Sequence, residues 1–216
     1  MLSIQLNNLG KKFNREWIFR NLSYTIEPNQ KLLISGGNGS GKSTLLQVLS
    51  GFVTQNEGSV DYKIAGDSER AIPLEKTKDY ISFASPYLQL TEEFTPVELI
   101  EHIKIYKPFI NNLSASEVLD MSGLSAAKHK FIKQFSSGMK QRLKLAVAIL
   151  NDTPLLLLDE PVSNLDRAAI KWYRDLITKH SLNRTVVVCS NAIEDDYFFC
   201  TSELNMADYK PLKTQF

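Results

Sequence analysis

The stretch Gly36-Gly37-Asn38-Gly39-Ser40-Gly41-Lys42-Ser43-Thr44 constrains this chain most, because it satisfies G-x-x-x-x-G-K-[ST] without a gap. Ahead of it, KLLIS (Lys31 to Ser35) reads as a buried strand, and behind it Ser43 to Leu49 reads as a helix. The glycines therefore fall where a strand must turn sharply into a helix. Gly36, Gly37, Gly39 and Gly41 allow successive backbone N–H groups to aim at one anion, an approach that side chains would block. The helix that begins near Lys42 adds its N-terminal dipole and unpaired amides at the same point. Lys42 then reaches β- and γ-phosphates as a point charge, and Ser43 is placed to ligate Mg²⁺. A glycine-rich turn that binds nothing is the bland alternative, and the flanking strand and helix count against it.

At 216 residues the chain suits one domain, or a core with one sizeable insertion. With 25 Lys+Arg against 24 Asp+Glu there is neither a basic footprint for nucleic acid nor an acidic tail, so no nucleic-acid partner is expected. Cys189 and Cys200 are too few and too apolar in their flanks for a disulfide framework, and the opening residues read as a strand instead of a signal peptide. A reducing cytoplasm is the expected compartment. No apolar run approaches the roughly 18 to 20 residues needed to cross a bilayer, so a membrane role must come through another protein. His102, His129 and His180 are scattered, which argues against a transition-metal site.

Along the chain, Leu2, Ile4 and Leu6 alternate with polar residues, and Leu22, Tyr24 and Ile26 do so again; these are expected to be half-buried antiparallel strands. Between them GKKFNREW offers an aromatic that can stack on a base, Phe13 first and Trp17 second, with a place in the core as the alternative for each. Ser59 to Ile64 predicts a short hairpin strand, and Tyr80 to Ala84 a strand stopped by Ser85-Pro86. Two capping boxes follow: Thr95-Pro96-Val97-Glu98 opens a helix to about Tyr106, and Ser114-Ala115-Ser116-Glu117 opens one that Gly123 stops. Leu143 to Leu150 is a further apolar helical run. Leu155 to Leu158 reads as a fully buried parallel strand that delivers Asp159-Glu160 at its end. Asp166 caps a helix with Ile170, Tyr173, Leu176 and Ile177 on one face, and Thr185 to Cys189 is a second buried strand. Glu194 to Phe199 predicts a short helix, and Ser202 to Tyr209 a last strand at the sheet edge.

Ligands of open parallel sheets bind beyond the C-terminal ends of strands, so the glycine loop and Asp159-Glu160 should face one another. Asp159 is then the acidic partner of Mg²⁺, and Glu160 is placed to polarise a water that attacks the γ-phosphate. A solvated acidic pair after a core strand is the alternative. About twenty residues ahead of this pair lies QFSSGMKQR, Gln134 to Arg142. Here the chain resembles the ATPase subunits of ABC transporters, whose signature is matched by Phe135-Ser136-Ser137-Gly138-Met139 and whose D-loop is matched by Ser163-Asn164-Leu165-Asp166.

The resemblance covers essentially the whole chain. It implies an α/β fold: a P-loop NTPase core with a parallel central sheet, an N-terminal antiparallel β subdomain, and a helical subdomain inserted at about residues 87–150 of a single 1–216 domain. Phe13 becomes the adenine-stacking aromatic. Residues Gly36, Gly37, Asn38, Gly39, Ser40, Gly41, Lys42, Ser43 and Thr44 hold ATP; Ser43 and Asp159 face Mg²⁺; Glu160, Lys42 and the residue in the switch position, Asn191, serve hydrolysis. Ser136 and Gly138 would cap the γ-phosphate of ATP held by a second ATPase subunit, most simply another copy of this chain. The helical block would dock a transmembrane permease, placing the chain in the cytoplasm at the inner face of the membrane.

Two departures from the family pattern matter, and a third, at Met139, is milder. The Q-loop glutamine aligns with Pro86 or Ser85, with Gln89 a few residues late, and proline offers no side-chain oxygen to Mg²⁺. The switch histidine is replaced by Asn191, and Met139 stands for the signature glutamine. These departures leave a slowly hydrolysing, degenerate subunit as the second reading; a soluble ABC ATPase outside transport is the third, ranked last because such relatives carry coiled-coil insertions or two cassettes in one chain. The chain ends about 25 residues after Asn191, a size similar to exporter-type subunits.

Overall fold

A computed structural model describes residues 2–64 and 70–211. In chain order its strands are β1 (Leu2–Phe13), β2 (Glu16–Ile26), β3 (Lys31–Ser35), β4 (Glu57–Ile64), β5 (Arg70–Ala71), β6 (Ile81–Ala84), β7 (Leu155–Asp159), β8 (Thr185–Cys189) and β9 (Ser202–Asn205). The α-helices are α1 (Lys42–Leu49), α2 (Pro96–Tyr106), α3 (Ala115–Ser122), α4 (Ser137–Leu150), α5 (Arg167–His180) and the short α6 (Glu194–Tyr197). Strands β6-β7-β8-β3-β9 form one parallel sheet, and β2-β1-β4-β5 form an antiparallel one.

The run of four leucines in β7 has a direct cause in this layering. Leu155 and Leu157 point into the core shared with α1 and the antiparallel sheet, while Leu156 and Leu158 point into the core shared with α2 to α5. Successive strand side chains alternate between faces, and both faces here are covered, so no position is left for a polar residue. The same alternation divides β8, with Val187 and Cys189 on one side and Val186 and Val188 on the other.

Both capping boxes form as their sequences predict. Thr95 accepts from the Glu98 amide and Glu98 reaches back to the Thr95 N–H, and Ser114 and Glu117 do the same. Gly123 closes α3 at φ 68°, a left-handed cap that glycine adopts without strain.

Several expectations need correction. GKKFNREW does not lie between the two strands but within them: β1 and β2 run on through it and turn at Asn14 and Arg15. The register shifts between Leu6 and Leu9 and again toward Lys11, with Asn8 and Asn21 at positive φ, so bulges break the period-two pattern that would have revealed the longer strands. Ser59 to Ile64 lies in β4, which pairs with β1 and not with its immediate neighbour alone. Helix α4 starts at Ser137, six residues before the apolar run, because Ser136 caps it by accepting from the Met139 amide. The last strand stops at Asn205, whose side chain accepts from the Ala207 amide and opens a 3₁₀ turn over Met206–Tyr209. Helix α6 likewise ends at Tyr197 instead of Phe199.

Candidate functional site

Strand order places the chemistry. Cys189 pairs with Ile34 on one side and with Asp159 on the other, so β3, β8 and β7 end level. The residues that follow β8 therefore lie between the glycine loop and the carboxylates. Ala84 pairs with Leu158, which sets Ser85 beside Asp159 from the far side.

The loop from Gly36 to Gly41 leads into α1 through a residue at φ 100°, Gly41, with no side-chain cap and no acid in the first turn. A Cβ on Gly41 would stand 2.6 Å from Cγ2 of Ile18, and one on Gly36, at φ 136°, would stand 2.7 Å from Oγ of Ser40. Those two positions admit glycine alone. The Ser40 hydroxyl is itself buried and has no hydrogen-bond partner among the described residues. A helix N-terminus with free amides and no acid of its own is a site for an anion.

Lys42 is buried and donates to the carbonyls of Gly36 (2.7 Å) and Gly37 (3.1 Å) and to Oδ1 of Asn191 (2.7 Å). The Asn191 amide nitrogen donates in turn to Oε1 of Glu160. One asparagine thus joins the cation of the loop to the second carboxylate. Glu160 adopts φ 43°, a conformation unusual for a glutamate, and its N–H donates to the Cys189 carbonyl at 2.9 Å.

Asp159, 2% exposed, accepts from Ser43 Oγ (3.0 Å) and from Ser85 Oγ (3.3 Å). Burial pushes its carboxyl pKa up, and Glu160 adds to this; the bonds from Ser43 and Ser85 and the charge of Lys42 oppose it. Hydroxyl and carboxylate oxygens are the donor set of a hard cation such as Mg²⁺, so the pair Ser43 and Asp159 fits that ion. A cavity of about 370 Å³ is lined by Asn38, Gly39, Ser40, Gly41, Lys42, Ser43, Thr44, Tyr87, Glu160 and Asn191.

Not every predicted residue joins this cavity. Phe13 stands at the hairpin tip, 45% exposed, with the Lys11 ammonium 4.8 Å above its ring. Trp17 is flanked by Lys12 and Arg20. Ser136 and Gly138 open α4 elsewhere on the molecule, where a Cβ on Gly138 would come within 3.0 Å of the Asn164 carbonyl, so the signature packs against the D-loop stretch.

Two residues escaped the sequence reading, and the contact made by a third, Ser85, was not foreseen there. Tyr87 lines the cavity, Ser85 is a partner of Asp159, and the fully buried Asp196 accepts from the Val162 N–H (2.8 Å) and from Ser190 Oγ (2.6 Å). Asp196 fastens the turn after Glu160 to the turn after β8, and burial raises its pKa to about 6. In the sequence it is one acid among three at the start of a short helix, and nothing there marks it as buried.

A glycine loop facing a buried Asp159 and a half-buried Glu160 across one strand defines a nucleoside-triphosphate site. Residues 19–163 match the family described as ABC transporter, and the chain belongs to that family as an ATP-binding subunit. It is 30% identical to an uncharacterized ABC transporter ATP-binding protein of Bacillus subtilis, YybJ, over 94% of this chain and 92% of that one. It is 31% identical to the cytochrome c biogenesis ATP-binding export protein CcmA of Agrobacterium fabrum, over 83% of this chain and 84% of the other. Among solved structures, the dimeric post-hydrolysis state of the ATP-binding cassette MJ0796 bound to ADP and Pi superposes with a TM-score of 0.75 at 27% identity, covering 89% of this chain and 90% of that one.

Proposed function

We propose that this chain hydrolyses ATP as one of two identical subunits that drive an exporter-type membrane protein from the cytoplasmic face. The observation that carries the reading is the convergence, at the ends of neighbouring strands, of two hydrogen-bonded groups: Lys42, Asn191 and Glu160, and Ser43 with Asp159. Lys42 and the amides of residues 38 to 44 bind the phosphate chain. Glu160 orients the attacking water and takes its proton, and Asn191 holds Glu160 in place. Ser43 and Asp159 would hold Mg²⁺, which neutralises phosphate charge when bound. Phe13 stacks on the adenine, while Ser136 and Gly138 complete the site of the opposite subunit, in keeping with the dimeric MJ0796 structure.

Residues 87–150 act as the helical subdomain that receives the membrane protein. A largely apolar groove of about 320 Å³ lined by Phe52, Phe83, Leu88, Ile103 and Tyr106 supports this, with Phe52 64% and Tyr106 71% exposed. Leu88 lines that groove and Tyr87, one residue earlier, lines the nucleotide cavity, so one loop touches both. The export direction rests on the likeness to CcmA.

Asn191 and Pro86 favour a slow enzyme, since neither supplies the charged or ligating group that the family pattern expects there. The test is phosphate release at saturating ATP and Mg²⁺, with Lys42→Ala measured beside it. Hydrogen bonds to charged groups are worth about 1.5 to 3 kcal/mol, so Lys42→Ala is expected to weaken ATP binding at least about tenfold. Unchanged affinity by calorimetry in a folded variant would remove the loop from the site.

A further inference from the structure

Lys144, in the middle of α4, is 8% exposed and has no carboxylate partner among the described residues. Its ammonium donates instead to two backbone carbonyls of the loop after β6, Ser85 at 3.2 Å and Pro86 at 2.7 Å. A buried lysine is uncommon because its charge must leave water, and here burial, with Lys140 nearby, lowers its pKa. An apolar side chain would fill this space without that cost. What an apolar side chain would lack is the grip on the loop.

The gripped residue is the one that touches the metal side of the site. Ser85 is 4% exposed; its hydroxyl donates to Oδ2 of Asp159 (3.3 Å) and accepts from the Tyr87 N–H (3.3 Å). The other carboxylate oxygen of Asp159 is held by Ser43. The chain of contacts therefore runs from α4 through Lys144 to the Ser85 carbonyl, through the Ser85 hydroxyl to Asp159, and on to Ser43.

We propose that Lys144 is a positioning residue, which fixes the Ser85 hydroxyl on Asp159 and so ties the helix that opens at Ser136 and Gly138 to the Mg²⁺ side of the nucleotide site. The proposal rests on the assignment of Ser43 and Asp159 to Mg²⁺ made above. Groups that orient a metal ligand without touching the metal typically change metal affinity by about 10- to 100-fold when removed. Lys144 acts one bond further out than Ser85, so both belong at the low end of that range.

The experiment measures ATP affinity by calorimetry, once with Mg²⁺ and once with EDTA, in the Glu160→Gln background so that no turnover intervenes. Lys144→Met keeps length and packing and removes the ammonium. It is expected to lower affinity about tenfold with Mg²⁺ and to leave affinity in EDTA within about twofold. Ser85→Ala should give the same pattern, and the double variant should go no further than either single one, because both changes break the same link. Equal losses with and without Mg²⁺, or losses that add in the double variant, would mean that Lys144 only packs, and the proposal would fall. If Lys144→Met does not fold, Ser85→Ala decides alone: an unchanged Mg²⁺ dependence overturns the proposal. A parent protein whose ATP affinity is indifferent to Mg²⁺ overturns the metal assignment beneath it.

Discussion

Asn191 stands between a cation and a carboxylate because β8 runs between β3 and β7, and its amide serves both, accepting from Lys42 and donating to Glu160. A neutral imidazole also has one acceptor and one donor, and when protonated it adds a charge that an amide lacks. Neutral hydrogen bonds are worth about 0.5 to 1.5 kcal/mol and charged ones about 1.5 to 3. The difference, about 1 to 2 kcal/mol, corresponds to about five- to thirty-fold in rate. Asn191→His is therefore expected to speed steady-state hydrolysis by that factor with ATP affinity nearly unchanged; a slower variant would mean that the site is built around the amide. Asp196 yields a prediction about stability. Its carboxyl titrates at about 6 in the fold against an ordinary 3.8, so the folded state favours the protonated form. The associated stability is fully present below pH 3.8 and is lost as pH rises through about 6. The difference amounts to about 3 kcal/mol at 1.36 kcal/mol per pH unit. Asp159 shifts in the same direction, so the comparison must be made by substitution. Asp196→Asn, which keeps an acceptor for Val162, should gain stability relative to the parent between pH 4 and 7, read from urea midpoints. A constant difference across that range would show that Asp196 is not titrating there.

Among the elements, those with local signals were legible and those with long-range causes were not. The glycine loop, the paired capping boxes, the Gly123 stop and the leucines of β7 each carry their reason within a few residues, and each stands where the sequence put it. Ser114→Ala is expected to destabilise the fold by about 1 kcal/mol, since it removes an N-cap acceptor for the Glu117 amide. Thermal unfolding at pH 7 checks this, and a loss well under half that size would show that Glu117 alone caps α3. Strands β1 and β2 were read short because bulges at Asn8 and Asn21 invert the alternation halfway along. The first turn of α4 carries no apolar pattern in Ser137, Gly138, Lys140 and Gln141, so only the capping residue Ser136, in a serine-glycine turn that also reads as a helix start, marks where it begins. Within the site, Lys42, Ser43, Asp159 and Glu160 were named from motif spacing, whereas Ser85, Lys144 and Asp196 act through contacts made across 74, 59 and 34 residues of chain. No local pattern encodes such pairings.

At the scale of the whole molecule, two cores meet at one parallel sheet, and the functional residues line its C-terminal rim. Ser136 and Gly138 lie away from the cavity that holds Lys42, which is the arrangement that the proposed completion of the site by a second subunit needs. Glu160→Gln keeps shape and removes the proposed base, an effect of about 10² to 10⁴ in rate. Hydrolysis should collapse while an ATP-dependent dimer persists, measured by light scattering with and without ATP. Near-parental turnover would assign the base to another residue. The placement of Asn191 also makes β8 a ruler. The strand is five residues long and starts level with β7, where Leu155 pairs with Thr185. One residue more within it would carry Asn191 about 3.3 Å further along the strand direction and turn its side chain to the opposite face of the sheet. Both cores would still close, yet the wire from Lys42 to Glu160 would be cut, so the length of this buried strand is set by a contact that lies beyond its end.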